Sequence, residues 1–164
     1  MELTGLLQLL VHIYINIKYI MLGYYGPFLL FLTSIILFLL YKPFSFSILY
    51  IVFSIFNTII NILLKIGIQQ PRPSLKNCDK WWFNIYGMPS GHAQSVFFSG
   101  VLLMYYFPLT WIYLLVLSLW IATLYQRYSS LCHSAFQLLI GSLVGILIAY
   151  LFINFSPSLL SNQI

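Results

Sequence analysis

The stretch that decides the fold is polar, turns tightly and runs straight into an apolar segment: Tyr86-Gly87-Met88-Pro89-Ser90-Gly91-His92. Pro89 rigidifies the backbone ahead of a helix, and Ser90 is a favourable helix N-cap. Gly91 lets a backbone N–H approach a ligand with no side chain in the way. Because the first N–H groups of a helix are unpaired and lie at the positive end of its dipole, this junction predicts an anion site with His92 beside it.

The composition is typical of a chain that lies in a bilayer. Of 164 residues, 62% are hydrophobic and only 5% are charged, and the mean hydropathy is +0.97. A soluble domain carries about 25% charged residues. The formal charge of +5 comes without a basic run, so a lipid head group or another small anion is the expected partner and nucleic acid is not. The length fits a single domain over residues 1–164, and no removable signal peptide is predicted.

Hydropathy and chain-breaking residues predict an all-α membrane bundle of about six transmembrane helices. The first predicted span is the weakest, because polar residues interrupt it and it could also lie in the membrane interface. A turn is predicted at residues 23–27. The predicted spans are 3–22, 28–41, 44–67, 92–107, 109–125 and 134–155, and the longer polar connections are 68–88 and 126–133.

Three alternating spans follow the long connection, so both polar connections are predicted at one membrane face, together with Ser90, His92 and His133. Five of the seven basic residues would lie there: Lys65, Arg72, Lys76, Lys80 and Arg127. Of these, Lys76 and Lys80 are interpreted as solvated loop charges. The positive-inside tendency would make this face cytoplasmic, but it misleads if the charges form an anion pocket.

The residue types on this face exclude most phosphate chemistries. Two-metal catalysis needs several carboxylates, and the chain has only Glu2 and Asp79. A zinc site is disfavoured because Cys132 and His133 are adjacent, which is poor ligand spacing. A disulfide could join Cys78 to Cys132, but the favoured interpretation leaves both free. Histidine chemistry remains, without metal or cofactor, in which Arg and Lys side chains hold the phosphoryl oxygens.

Three ordered motifs resemble those of the type 2 phosphatidic acid phosphatase superfamily, over residues 60–145. They are Lys65, six residues, then Arg72-Pro73; Pro89-Ser90-Gly91-His92; and Arg127, five residues, then His133. The resemblance implies that His133 is the nucleophile and that His92 is the general acid for the leaving oxygen. It implies phosphate binding by Lys65, Arg72, Ser90, Gly91 and Arg127, and it implies no metal. Such a site is coherent because phosphoryl transfer depends mainly on positioning and charge stabilisation.

Two positions depart from the third motif of the superfamily, which usually has Ser before the arginine and Asp four residues after the histidine. This chain has Gln126 and Gln137 there. Because His133 and Gln137 are i and i+4 on one helix, the Gln137 carbonyl is predicted to accept the His133 N–H and fix its tautomer. An amide cannot stabilise imidazolium as a carboxylate does, so the site is either weakened or belongs to a branch that uses Gln.

A resemblance to the dolichyl diphosphatase branch favours the second alternative. The shared features are Gln137, Gln69-Gln70-Pro71-Arg72-Pro73 and Tyr86-Gly87-Met88-Pro89-Ser90. The predicted function is hydrolysis of dolichyl or polyprenyl diphosphate through a phosphohistidine. The alternatives are a phosphatidate or lysophospholipid phosphatase of the same superfamily and an inactive lipid-binding relative. The resemblance implies a lumenal or extracytoplasmic active face, in an endoplasmic-reticulum-like membrane of a eukaryote or virus or in a bacterial plasma membrane.

Overall fold

The computed structural model describes residues 3–75, 78 and 85–160, with side-chain contacts for 21–75, 78 and 85–156. These residues form five helices: α1 (Leu3–Tyr41), α2 (Phe44–Ile68), α3 (Gly91–Tyr106), α4 (Thr110–Ser129) and α5 (Ala135–Leu160). The prediction of an all-α protein is confirmed. The loop charges predicted at Lys76 and Lys80 lie outside the described residues.

The two segments that precede residue 42 form one helix, so the prediction of about six helices is not confirmed. α1 continues through residues 23–27, with Pro27 inside it, and the predicted turn there is wrong. Gly23 and Gly26 lie against α4, where an added Cβ would collide with α4 atoms. These glycines therefore allow close helix packing. An internal proline is tolerated in an apolar helix because neighbouring groups satisfy the backbone groups that it frees.

Among the residues whose side chains the structure describes, three helical segments are long and apolar enough to cross a membrane: Met21–Tyr41, Phe44–Ile68 and Ala135–Ser156. They indicate a membrane protein. α3 has 16 residues, which is shorter than the roughly 20 that a hydrocarbon core requires. It packs against all four other helices and forms the centre of the bundle.

One end of the bundle is filled with aromatic rings. We call it the aromatic cluster, and its buried members are Phe38, Phe46, Tyr50, Phe98, Leu102, Ile148, Ala149 and Phe152. The Phe38 ring lies 4.9 Å from the Phe46 ring and 5.2 Å from the Tyr50 ring, with edges directed at faces. Such edge-to-face pairs stabilise a core beyond the apolar area that they bury. The cluster therefore fixes α1, α2, α3 and α5 at the end away from residues 86–92.

Two glycines bring α5 close to the start of α3. A Cβ added at Gly141 would lie 2.5 Å from the Ser90 carbonyl oxygen, and one added at Gly145 would collide with the Gln94 carbonyl. Small residues spaced four apart let two helix backbones approach closely. The Ser90 N–H donates to the Gln137 carbonyl at 3.1 Å across this contact. The spacing of glycines on α5 therefore sets the position of residues 133–137 against residues 86–92.

Candidate active site

Three segments that are distant in sequence meet at the end of the bundle opposite the aromatic cluster: 69–74, 86–92 and 127–137. Backbone hydrogen bonds join the first segment to the other two. The Gly87 N–H donates to the Gln70 carbonyl at 2.7 Å, and the Ser74 N–H donates to the Leu131 carbonyl at 3.0 Å. The loops that carry the three sequence motifs are therefore tied to one another as well as to their helices.

His133 lies between these segments, and its two ring nitrogens have different partners. Its side chain is only 2% exposed. Nδ1 lies 2.8 Å from the Gly87 carbonyl oxygen, and Nε2 lies 2.9 Å from an Nη atom of Arg72. A carbonyl can only accept and a guanidinium can only donate, so Nδ1 carries the hydrogen and Nε2 presents its lone pair. The structure therefore favours the tautomer in which Nε2 can act as a nucleophile.

Burial and positive charge keep the His133 ring neutral. Burial is the largest cause, the charges of Arg72, Arg127 and Lys65 act in the same direction, and the hydrogen bond to Gly87 opposes them. Together they lower the pKa of His133 from 6.5 to about 2. Near neutral pH the ring is unprotonated, as a nitrogen nucleophile must be. Cations around an uncharged nucleophile suit attack on an anionic phosphoryl group.

The three cations come from different parts of the chain. Lys65 lies in the last turn of α2 and is 2% exposed, and Arg127 lies in the last turn of α4 and is 1% exposed. The prediction that placed Arg127 in a loop is wrong, because α4 continues to Ser129. Gln69 ends α2 in the left-handed conformation, with φ of 53°, and starts the loop that carries Arg72. Buried cations at helix ends in an apolar protein are typical of functional sites.

The start of α3 brings the second motif to the same end of the bundle. Ser90 caps the helix, its hydroxyl accepting the Ala93 N–H at 3.5 Å. Gly91 is the first helical residue and lies against Asn61, whose Oδ1 would be 3.1 Å from an added Cβ. His92 is on the α1 side, where its ring centroid lies 5.5 Å from that of Tyr24. Gly91 and His92 line a cavity of about 280 Å³ between α1, α2 and α3.

Gln137 has different partners from those predicted. Its Nε2 donates to Gln70 Oε1 at 3.0 Å and to the Pro71 carbonyl at 2.9 Å, and its Oε1 accepts the Ser134 N–H at 3.2 Å. The hydrogen on His133 is accepted by the Gly87 carbonyl instead. The predicted bond from His133 to Gln137 is therefore replaced, and the absence of a Cβ at Gly87 leaves room for the Gln137 amide, which an added Cβ would meet at 2.5 Å. Gln137 is therefore bonded to the loop of the first motif, which also carries Arg72.

A known protein family matches most of this chain. The family model described as the PAP2 superfamily matches residues 45–160, which include all three motifs and helices α2 to α5. The chain belongs to the PAP2 superfamily. No curated protein and no solved structure matches the chain.

Members of the PAP2 superfamily are phosphoesterase hydrolases, and membership implies phosphatase activity, including that of lipid phosphatases. The apolar helices of this chain fit a lipid substrate and a bilayer. The dolichyl diphosphatase branch has no such support and stays a prediction. The roles of the individual site residues also stay predictions, although the structure brings Lys65, Arg72, Arg127 and His133 together.

A disulfide joins Cys78 to Cys132 beside the candidate site. The interpretation favoured from the sequence was two free thiols. It closes a loop of 54 residues, with the two Cα atoms 5.5 Å apart. Cys132 directly precedes His133, and its carbonyl accepts a hydrogen bond from Arg72 at 3.1 Å. The disulfide therefore links the connection after the first motif directly to the residue beside the candidate nucleophile.

Sequence reasoning missed a buried amide network that joins α2 to α3. Gln94 accepts from Asn61 Nδ2 at 2.8 Å and donates to Asn57 Oδ1 at 2.8 Å, and Asn61 also donates to the Pro89 carbonyl at 3.3 Å. Asn57, Asn61 and Lys65 recur every four residues, on one face of an apolar helix. Polar residues inside an apolar span are uncommon and usually face the interior of the bundle, so this spacing was a usable signal. The group that accepts the His133 hydrogen is the backbone carbonyl of Gly87. Every residue has such a carbonyl, so its role left no signal in the sequence.

Proposed function

We propose that this PAP2 protein is a multi-pass membrane phosphatase that hydrolyses dolichyl or polyprenyl diphosphate through a phosphohistidine intermediate. The environment of His133 carries the proposal. Its Nδ1–H is fixed by the Gly87 carbonyl, its Nε2 lone pair accepts a hydrogen bond from Arg72, and three cations surround it. A neutral, oriented imidazole in a positive pocket is what nucleophilic attack on a phosphoryl group needs.

In the first step, the Nε2 lone pair of His133 forms a bond to phosphorus as the bond from phosphorus to the leaving oxygen breaks. Arg72, which donates to Nε2 in the free protein, transfers that hydrogen bond to a phosphoryl oxygen. Lys65 and Arg127 stabilise the negative charge of the equatorial oxygens, with the Ser90 hydroxyl and the Gly91 N–H. His92 gives its proton to the leaving oxygen. These tasks are positioning and charge stabilisation, which account for most of the catalysis in phosphoryl transfer.

In the second step, water attacks the phosphorus of the phosphohistidine. His92, now neutral, takes a proton from the water as the bond from phosphorus to nitrogen breaks. Inorganic phosphate leaves, and both histidines regain their starting protonation states. The Gly87 carbonyl accepts the Nδ1–H of His133 throughout, so the ring that is released is already in the tautomer needed for the next turnover.

The hydrogen bonds of Gln137 support an active site over the inactive alternative. Its amide donates to two oxygen acceptors, Gln70 Oε1 and the Pro71 carbonyl. A carboxylate at this position would face both acceptors with no hydrogen to donate. Glutamine therefore suits this loop geometry, and the orientation of His133 does not depend on an acidic residue here, because Gly87 supplies it.

The disulfide supports a lumenal or extracytoplasmic active face. Disulfides form and persist in oxidising compartments and are rare in the cytosol. Cys78 and Cys132 lie on the same side as the candidate site, so the disulfide favours an oxidising compartment on that side. The positive-inside count points the other way, but the cations that it counts include Lys65, Arg72 and Arg127, which are buried around His133.

Phosphate release by the purified protein in detergent tests the proposal. The wild type should hydrolyse dolichyl diphosphate faster than phosphatidate, and His133→Ala should lower the rate on the order of 10⁴-fold. A phosphorylated intermediate should be trapped by quenching the wild type in an alkaline denaturant, because the bond from phosphorus to nitrogen in phosphohistidine is labile in acid, and it should be missing from the variant. A wild type that releases phosphate from neither lipid would refute the proposal, and faster hydrolysis of phosphatidate would move the substrate to the alternative class.

A further inference from the structure

Two cavities on the α1 side of the site join into one groove. The first, of about 280 Å³, has Gly91 and His92 in its wall, and the second, of about 340 Å³, lies deeper between α1, α2 and α3. They share four lining residues: Pro27, Phe28, Thr58 and Ser95. We call the combined space the α1–α2 groove. Along α3 it reaches from Gly91 to Ser99, a distance of about 12 Å at 1.5 Å per residue.

The walls of the deeper part are chemically apolar although they include hydroxyl groups. Ser54 donates to the Tyr50 carbonyl at 2.8 Å, and Thr58 donates to the Ser54 carbonyl at 3.0 Å, each within its own helix. The Ser99 hydroxyl is bonded to the Tyr50 hydroxyl at 2.8 Å. Because these polar groups are already satisfied, the groove offers a ligand mainly the hydrocarbon surface of side chains such as Phe28 and Ile55.

The position of His92 indicates what fills this groove. In the proposed reaction, His92 protonates the leaving oxygen, so the leaving group must lie beside it. For a lipid phosphate or diphosphate, the leaving group carries the hydrocarbon chain. His92 lines the mouth of the α1–α2 groove, and the shared lining residues lead from there into the apolar part.

We propose that the α1–α2 groove binds the hydrocarbon chain of the lipid substrate, with its phosphate group at Gly91 and His92. The inference rests on the proposed lipid phosphatase function and adds the subsite that recognises the chain. Its polar mouth and apolar interior match an amphipathic ligand that is charged at one end. Thr58 and Ser95, at the junction of the two cavities, are then the positions that govern access to the deeper part.

A second apolar groove lies on the other side of α3 and provides an internal comparison. It has a volume of about 560 Å³ and lies between α3, α4 and α5, with Leu139 and Leu143 in its wall. None of its described lining residues is His92 or a proposed phosphate ligand. A lipid there would not have its leaving oxygen beside the general acid, so its apolar lining does not make it the better substrate site.

Substitution by tryptophan tests the assignment with a matched control. Thr58→Trp would fill the junction of the α1–α2 groove, and Leu139→Trp would fill the groove on the other side, from a residue that is also exposed. For Thr58→Trp, kcat/KM for long-chain dolichyl diphosphate should fall about tenfold or more, with little change for a short-chain isoprenyl diphosphate. Leu139→Trp should change neither value. Equal losses on both substrates in Thr58→Trp, or a chain-length effect in Leu139→Trp, would overturn the proposal.

Photo-cross-linking tests where the hydrocarbon chain binds and does not require turnover. A long-chain isoprenyl diphosphate with a photoreactive group in its chain should label α1 and α2 near Phe28 and Ile55, and unlabelled short-chain isoprenyl diphosphate should displace it. Labelling of α4 or α5, or labelling that the competitor does not reduce, as from bulk lipid, would contradict the proposal. If the wild type released no phosphate from any lipid, the proposed function would fall while this experiment still decided where the chain binds.

Discussion

The two ends of the bundle are held together by different kinds of interaction. At one end, the aromatic cluster packs rings from α1, α2, α3 and α5 at separations such as 4.9 Å between Phe38 and Phe46. At the other end, buried charged and amide side chains bond to backbone groups of three loops, as the His133 ring bonds to the Gly87 carbonyl. Helix packing holds the first end together. Hydrogen bonds, together with a disulfide, hold the second end together.

The contrast shows how a small membrane protein can bury a cationic site. Burying charge is costly and rarely increases stability, so the site end cannot hold itself together by apolar contacts. The aromatic cluster supplies packing on the same helices, and the site end then needs only to orient a few groups. Changes at the site should therefore lower turnover, whereas changes in the aromatic cluster should lower stability alone.

Apart from the removal of His133 itself, the largest effect on turnover is expected from Gly87→Ala. A Cβ there would lie 2.5–2.8 Å from the amide atoms of Gln137, so either that amide leaves its bonds to the first-motif loop or Gly87 moves away from it, and in both cases the support for the Gly87 carbonyl at His133 is disturbed. Displacing a positioned group by about 1 Å can cost about 10²-fold in rate. Gly67→Ala is the matched control, because an added Cβ there meets nothing within 4 Å. Steady-state rates of both variants would test this, and wild-type turnover in Gly87→Ala would refute it.

A smaller loss is expected from Gln137→Glu, which keeps the shape of the side chain and removes its two donated hydrogens. The carboxylate would face Gln70 Oε1 and the Pro71 carbonyl, so turnover should fall about tenfold, and the free energy of unfolding by about 1–3 kcal/mol. Asn154→Asp makes the same chemical change at an exposed position and should leave turnover unchanged. Higher activity in Gln137→Glu would instead mean that the wild-type site lacks an acid that it needs.

Breaking the disulfide should have a several-fold effect on turnover. Without the bond between Cys78 and Cys132, the segment beside His133 loses a covalent link, and the free energy of unfolding should fall by about 2–4 kcal/mol. Activity and thermal unfolding would be followed with and without a thiol reductant. The Cys78→Ser, Cys132→Ser double variant should have the activity and thermal unfolding of the reduced wild type. Adding the reductant should change neither. Equal activity in both redox states would show that backbone hydrogen bonds alone hold the site.

The smallest effect on turnover is expected from Phe38→Ala, in the aromatic cluster. Phe38 is completely buried, and truncating such a side chain costs about 3–5 kcal/mol of unfolding free energy. Thermal unfolding should shift strongly, while kcat/KM per folded molecule stays at the wild-type value. A loss of kcat/KM below the unfolding temperature would mean that the two ends are coupled, and the contrast drawn here would not hold.

The helices after residue 43 could be predicted closely from the sequence, and the first helix could not. α2 was predicted over 44–67 and runs Phe44–Ile68, because an unbroken apolar run has only one stable form in a bilayer. At residues 23–27 the same reasoning predicted a turn. Glycine can end a helix or let it pack closely against another, and proline can end a helix or lie within it. Which of these outcomes occurs at residues 23–27 depends on α4, about 100 residues further along the chain.

The features of the candidate site likewise fall into those that the sequence predicts and those that it does not. The sequence alone determined the all-α architecture, the three motifs in order and the placement of their charged residues at one end, because hydropathy and motif spacing are local properties of the chain. Only the tertiary structure decided that Gly87 and not Gln137 accepts the His133 hydrogen, that Cys78 pairs with Cys132, and that His92 opens toward the α1–α2 groove. The partner of a polar group is set by which remote segment packs against it, and no local pattern carries that information.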